Sequence, residues 1–126
     1  MSGRLRVCIM YASIAMLSAC ATFASLRSTT YIEPGQSFLL GGGQPGGFSV
    51  RGRNAGGTPV TVYSEQAGRR DSVTTLAPGA PIDAEFPSNA MAVFRNTSRT
   101  TAAEVSITVT GTTSGLGMRY EAAAVR

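Results

Sequence analysis

The stretch 103–110 reads AEVSITVT and alternates between two kinds of side chain. Its odd-numbered positions hold Ala, Val, Ile and Val, whereas its even-numbered positions hold Glu, Ser, Thr and Thr. Successive side chains of a β-strand point to opposite faces, so this pattern predicts a strand with one buried and one solvated face. Antiparallel sheets that cover a core on one side have this pattern, and the stretch therefore predicts a β domain.

Two further stretches, 82–86 (IDAEF) and 118–122 (MRYEA), alternate in the same way. In the second of them, Met118, Tyr120 and Ala122 are predicted to face the core. Weaker β-rich candidates lie at 29–33, 36–40, 48–53, 60–65, 72–76 and 91–95. Turn residues separate these short runs at intervals of roughly ten residues, which is typical of sandwiches and barrels. We therefore predict an all-β fold, a small antiparallel β-sandwich of about 7–9 short strands, immunoglobulin-like or jelly-roll-like.

The segments between the predicted strands contain residues that favour turns. EPGQ at 33–36 and APGA at 77–80 contain Pro-Gly pairs, which suit type II turns because Pro presets φ and Gly accepts a positive φ. RNAGG at 53–57 and EQAGRRD at 65–71 are predicted to be hairpin loops. No stretch after the first 28 residues has the periodicity of an amphipathic helix.

The first 28 residues differ from the rest of the chain. Residues 1–6 are short and basic, 7–17 are apolar, and small side chains follow, which is the three-part pattern of an export signal. The residues Leu17, Ser18, Ala19 and Cys20 resemble the lipobox of bacterial lipoproteins. In that class, signal peptidase recognises the first three positions, the leader is cut before the Cys, and the thiol receives lipid.

The lipobox resemblance implies a division of the chain and a location. The divisions are a signal peptide at 1–19, a lipidated tether at 20–28 and the β-sandwich domain at 29–126. Cys20 would anchor the protein to the membrane through its acyl chains. Ala21 stands where an Asp favours inner-membrane retention in enterobacteria, so the resemblance implies the outer membrane, facing the periplasm.

An alternative interpretation of the leader is a retained membrane anchor. Residues 7–26 carry no charge, and these twenty residues have roughly the length needed to span a bilayer. The small and hydroxylated side chains of 18–25 weaken this interpretation because they partition poorly into hydrocarbon. Ordinary signal cleavage is the third alternative. Cys8 lies in the apolar segment and is lost with the leader if the leader is cut.

Charge and composition argue against several classes of function. All eleven basic residues are Arg, and the chain after residue 19 holds nine basic against seven acidic residues, a net charge of about +2. This weak field predicts no nucleic-acid partner. The chain has neither His nor Lys, which usually serve in proton transfer and nucleophile activation, so we predict no enzyme, no metal site and no cofactor.

Two motifs could suggest chemistry but have simpler explanations. GGGQPG at 41–46 has the G-x-G-x-x-G spacing of dinucleotide-binding loops, yet a predicted strand follows it instead of a helix, so a flexible loop is expected. Asp83 and Glu85 could form an acid and base pair, but alternation places both on a solvated strand face. Calcium binding through Asp71, Asp83 or Glu85 is an alternative that no calcium-binding loop motif supports.

Four arginines are the candidate contacts for an anion or a partner. Arg51 and Arg53 are two residues apart and share one strand face, and Arg69 and Arg70 are predicted at a hairpin tip. Arg side chains bind phosphate and carboxylate groups through forked hydrogen bonds. The alternative is an ordinary solubilising surface.

These features together predict a non-enzymatic structural or accessory subunit of the bacterial cell envelope. Its contacts would be made by exposed strand edges and loops, with an envelope protein as the expected partner. The alternative is an envelope ligand- or glycan-binding module that uses the loops at one end of the sandwich.

Overall fold

The computed structural model describes residues 25–113 and 115–122. These residues form nine strands and no helix: β1 (Leu26–Ile32), β2 (Ser37–Gly41), β3 (Phe48–Asn54), β4 (Val60–Gln66), β5 (Arg69–Leu76), β6 (Pro81–Phe86), β7 (Met91–Asn96), β8 (Ala103–Gly111) and β9 (Met118–Glu121). The predicted all-β class and the number of strands are confirmed.

The strands form two antiparallel sheets that pack face to face. One sheet has four strands in the order β1-β8-β3-β6, and the other has five in the order β5-β4-β7-β2-β9. The pairs β1/β8, β2/β7, β3/β6 and β4/β5 are those of a long antiparallel ribbon that is folded back on itself and rolled. This is jelly-roll topology, with β9 added beside β2. Of the two predicted sandwich types, the jelly roll is the one observed.

The alternating stretch that predicts the fold forms the centre of the four-stranded sheet. Ala103, Val105, Ile107 and Val109 of β8 are each at most 3% exposed, whereas the residues between them are half-exposed. β8 lies between β1 and β3, so both of its edges are hydrogen-bonded. Its buried side chains pack with those of the second sheet in one large apolar core.

Both predicted Pro-Gly turns are present, and each carries the chain from one sheet to the other. The N–H of Gln36 donates to the carbonyl of Glu33 at 2.9 Å, with Gly35 at φ 74°. The N–H of Ala80 donates to the carbonyl of Ala77 at 2.9 Å, and Gly79 has φ 81°. A positive φ at the third position is the mark of a type II turn.

The loop at 53–57 is not a hairpin, and that prediction was wrong. The strands on its two sides, β3 and β4, belong to different sheets, so the segment crosses the end of the sandwich. Its Gly and Asn residues fit any tight reversal, and they do not specify whether the next strand pairs with the previous one.

The predicted hairpin at 65–71 is real but shorter than predicted. The turn consists of Ala67 and Gly68, with φ values of 53° and 76°, as in the two-residue turns that match strand twist. β5 begins immediately afterwards, so Arg69 and Arg70 lie within a strand and not at a hairpin tip. This corrects their predicted position.

The two terminal strands differ from their predicted positions in further respects. β1 begins at Leu26, so residues 26–28 of the predicted tether belong to the sheet. In β9 the predicted inward side chains Met118 and Tyr120 are 41% and 50% exposed. The prediction that they are buried was wrong because β9 is the fifth strand of its sheet and the opposite sheet has only four.

Candidate functional site

The four arginines predicted as an anion or partner contact do not form one cluster. Arg51 and Arg53 lie on β3, in the middle of the four-stranded sheet, and share one of its faces as predicted. Arg69 and Arg70 lie on β5, at the edge of the five-stranded sheet. The two pairs therefore belong to different layers of the sandwich.

Most of these arginines also have a carboxylate partner. The pairs are Arg51 Nε with Asp83 Oδ1 at 3.5 Å, Arg69 Nε with Asp71 Oδ1 at 3.3 Å, and Arg70 Nη2 with Glu65 Oε1 at 2.8 Å. The first two pairs are largely exposed, so they contribute little to stability. Because the charges of Arg51, Arg69 and Arg70 are balanced locally and only Arg53 has no such partner among the described residues, the four arginines do not create a positive patch.

The lipobox residues Leu17, Ser18, Ala19 and Cys20 lie outside the described residues, and lipidation of Cys20 stays a prediction. Within residues 25–113 and 115–122 the structure contains no helix that could cross a bilayer. The described domain begins with β1 only six positions after Cys20.

The carboxylates considered for catalysis or calcium are separated. Asp83 and Glu85 are exposed on β6 of the four-stranded sheet, whereas Asp71 lies on β5 of the other sheet. Across the part of the chain that the structure describes, no three Asp, Glu, Cys or His residues are grouped to hold a metal ion.

The glycine-rich loop after β2 is tied to the domain by a buried glutamine. Gln44 is 2% exposed, and its amide nitrogen donates to the carbonyls of Ala90 (2.9 Å) and Pro87 (3.2 Å). Its Oε1 accepts the N–H of Gly42 at 2.7 Å. Gly41, Gly42 and Gly43 have φ values of 90–101°, which only Gly adopts readily. β3 follows at Phe48, so no helix start faces the loop.

Exposed strand edges are the other sites of interest, and each sheet has two. An edge strand presents unpaired N–H and C=O groups that can pair with another chain, unless charges, proline, a bulge or short length prevent it. The edges of this fold are β1 and β6 in one sheet and β5 and β9 in the other.

Three of these edges carry such protection. The register of β5 shifts at Val73, which bulges from the ladder beside the charged Arg69–Asp71 pair. β6 begins with Pro81 and has exposed carboxylates at two alternate positions, Asp83 and Glu85. β9 is four residues long and carries Arg119 and Glu121.

β1 has less of this protection than the other three edges. Within Leu26–Ile32 there is no proline, Arg27 is the one charged residue, and all seven residues pair with β8 without a shift in register. Its other edge faces away from β8, because β1 is the end of the four-stranded sheet. Of the four edges, β1 therefore offers the longest regular template for an added strand.

An apolar surface that no described residue covers lies beside the β1 edge. β1 approaches β2 across the core, and β9 extends the five-stranded sheet one strand beyond β2. Tyr120 is the register partner of Phe38 and its ring lies 5.5 Å from the Phe38 ring, so it is on the core side of the sheet. Met118 is on the same face. We call β1, Met118 and Tyr120 the open edge.

Comparison with known proteins identifies no relative of this chain. The chain matches no protein-family model, no curated protein and no solved structure. Its function is therefore inferred from its own residues. The open edge has no signal in the local sequence, because the pattern of 26–32 indicates a strand but not its place in a sheet.

Proposed function

We propose that this protein is a lipid-anchored accessory subunit of the bacterial cell envelope that binds an extended segment of a partner protein at the open edge. The observation that carries the proposal is the unprotected β1 edge beside the uncovered side chains of Met118 and Tyr120. No catalytic group is needed, because binding by strand addition uses main-chain hydrogen bonds.

The partner segment would complete the sandwich. An extended strand beside β1 becomes the fifth strand of the four-stranded sheet and lies opposite β9. Its alternate side chains would then cover Met118 and Tyr120, which are now 41% and 50% exposed. Full burial of an apolar side chain contributes about 1.5–3 kcal/mol, so apolar residues at alternate positions of the partner segment give specificity as well as affinity.

The lipobox supports a position at the membrane surface. If Cys20 carries the lipid, six residue steps separate it from Leu26. An extended chain covers at most about 3.5 Å per residue, so the start of β1 would lie within about 21 Å of the anchor. The open edge would therefore receive its partner close to the membrane.

Replacement of the predicted lipidation site tests the anchor. We expect Cys20→Ser to move nearly all of the protein from the membrane pellet to the soluble fraction, because several acyl chains provide stable attachment. Cys8→Ser is the matched control, since that thiol lies in the predicted leader, and it should leave the distribution unchanged. Fractionation and intact-mass measurement report the result. Membrane retention of a Cys20→Ser protein that has lost its leader, or a wild-type mass equal to that of the whole unacylated chain, would contradict lipid anchoring.

A photoreactive residue on the edge strand tests the partner. With p-benzoylphenylalanine in place of Thr29, we expect a discrete crosslinked species in the producing cells. Adding Tyr120→Glu should reduce the yield about ten-fold, because it removes apolar contact of the order of 1.4 kcal/mol or more. Val73→Glu, at the opposite edge, is the control. Both variants should remain folded at the temperature of the assay, which thermal unfolding checks, since Tyr120 and Val73 are 50% and 44% exposed. Equal crosslinking in the Tyr120→Glu protein, or none in the wild type, would count against the proposal.

A further inference from the structure

A pocket of about 540 Å³ lies at one end of the five-stranded sheet, beside the turn that follows β1. It opens between the turn at Pro34 and Gly35 and the loop that follows β7, with Tyr63 of β4 in its wall. Small-molecule sites usually have volumes of about 300–1,000 Å³, so the pocket is large enough for a ligand of one or two rings.

The loop that forms one wall is held by a buried asparagine. Asn96 is completely buried, and its Nδ2 donates to the carbonyls of Ile32 (2.9 Å) and Thr101 (2.8 Å). Its Oδ1 accepts the N–H of Ser98 at 3.0 Å. The main chain of Asn96 also accepts from the N–H of Gly35 at 3.0 Å, which joins the two walls of the pocket. These bonds hold the backbone of the two walls in place.

Two arginines line this pocket, and neither is paired in the described part of the chain. Arg95 and Arg99 are exposed and have no carboxylate within 4 Å among the described residues, in contrast to Arg51, Arg69 and Arg70. The cross-strand neighbours of Arg95 are Ser37 and Thr61, which carry no charge. Two guanidinium groups at one pocket favour an anionic ligand, and their forked donors match a carboxylate.

Tyr63 is held in a fixed position in the same wall. It packs on Leu39, Met91 and Val93, a small apolar cluster on the outer face of the five-stranded sheet. The guanidinium of Arg70 lies 5.7 Å from the centroid of its ring, within the range of a cation–π contact. Arg70 is itself paired with Glu65, so its charge is balanced. The pocket wall therefore contains the packed ring and the hydroxyl of Tyr63, together with two arginines, Arg95 and Arg99, that have no carboxylate partner among the described residues.

We infer that this pocket binds a short saccharide that carries carboxylate groups. The volume exceeds what a simple anion fills, and the hydroxyl groups of Tyr63 and Thr97 suit a hydroxylated ligand better than an apolar one. Arg95 and Arg99 bind the carboxylates. The pocket shares no lining residue with the open edge, and its ligand does not depend on strand binding there.

Titration of the full-length protein in detergent with digalacturonate, followed by calorimetry, tests this inference. We expect saturable binding that weakens as salt is raised, and no binding of the neutral disaccharide galactobiose. Arg95→Gln and Arg99→Gln should each weaken binding about ten-fold or more, because each removes one charged hydrogen-bonding group. Arg53→Gln is the matched control, an exposed arginine of the other sheet with no carboxylate within 4 Å among the described residues, and it should bind as the wild type.

Several outcomes would overturn the inference. They are the absence of saturable digalacturonate binding, equal binding of galactobiose, and equal weakening by Arg53→Gln. Displacement of digalacturonate by an equal concentration of inorganic phosphate would likewise overturn it, since the pocket would then recognise a simple anion. Thermal unfolding of each variant distinguishes a loss of binding from a loss of fold. We expect all three variants to unfold at the wild-type temperature, because all three arginines are exposed. None of these outcomes bears on crosslinking at the open edge.

Discussion

Gly52→Ala is expected to destabilise the fold more than any of the other proposed substitutions. A Cβ at this position would overlap the carbonyl oxygen of Ser106 and lie 2.8 Å from the Cα of Ile107. Both are backbone atoms of β8, the strand at the centre of the four-stranded sheet. They cannot move away without breaking the β3–β8 ladder. We expect a loss of about 4 kcal/mol or more in the free energy of unfolding, against the 5–15 kcal/mol typical of natural domains.

Gly57→Ala is the matched control for this change. A Cβ at Gly57 meets no atom within 4 Å, so its effect should stay within about 0.5 kcal/mol. Urea denaturation followed by circular dichroism measures both variants. A Gly52→Ala protein that unfolds cooperatively at the wild-type midpoint would contradict the close packing of β3 against β8.

Asn96→Ala is expected to have the second-largest effect. The side chain is completely buried and makes three hydrogen bonds to the backbone, with Ile32, Thr101 and Ser98. Its removal leaves two carbonyls and one N–H without that partner, and each unsatisfied buried group costs about 1–3 kcal/mol. We therefore expect a loss of about 3 kcal/mol in the free energy of unfolding.

Gln66→Ala provides the comparison for Asn96→Ala. Gln66 also donates a side-chain amide hydrogen to a carbonyl, that of Ser88 at 2.9 Å, but the bond is exposed. Water can replace it, so the loss should be below about 0.5 kcal/mol. Denaturant unfolding of the two variants measures and compares their losses in the free energy of unfolding. Equal effects would show that the buried asparagine does not hold the end of the sandwich together.

The candidate sites could be predicted from sequence only in part. The two-residue spacing of Arg51 and Arg53 correctly placed them on one strand face, because alternation is local. It could not show that Arg69 and Arg70 belong to the other sheet, or that an Asp on β6 lies beside Arg51. Such neighbours come from strand pairing, which brings together residues far apart in the chain.

Buried polar residues were also beyond sequence reasoning. Gln44, Asn54 and Asn96 stand in segments rich in turn residues and would be expected on the surface. Each instead binds backbone groups where the chain passes between strands, as Asn54 does with the carbonyls of Thr58 (2.7 Å) and Leu76 (2.9 Å). Their partners are defined only once the loops meet at the ends of the sandwich.

The sequence by itself determined the all-β class, the approximate positions of all nine strands and the two Pro-Gly turns, because period-two alternation and turn chemistry depend on residues close together in the chain. Tertiary structure alone decided the order of the strands and hence which edges are open. β1 pairs with β8, a strand far from it in the sequence, and Leu26 lies opposite Val109. Met118 and Tyr120 alternate like buried residues, yet they stay exposed because the opposite sheet is one strand narrower.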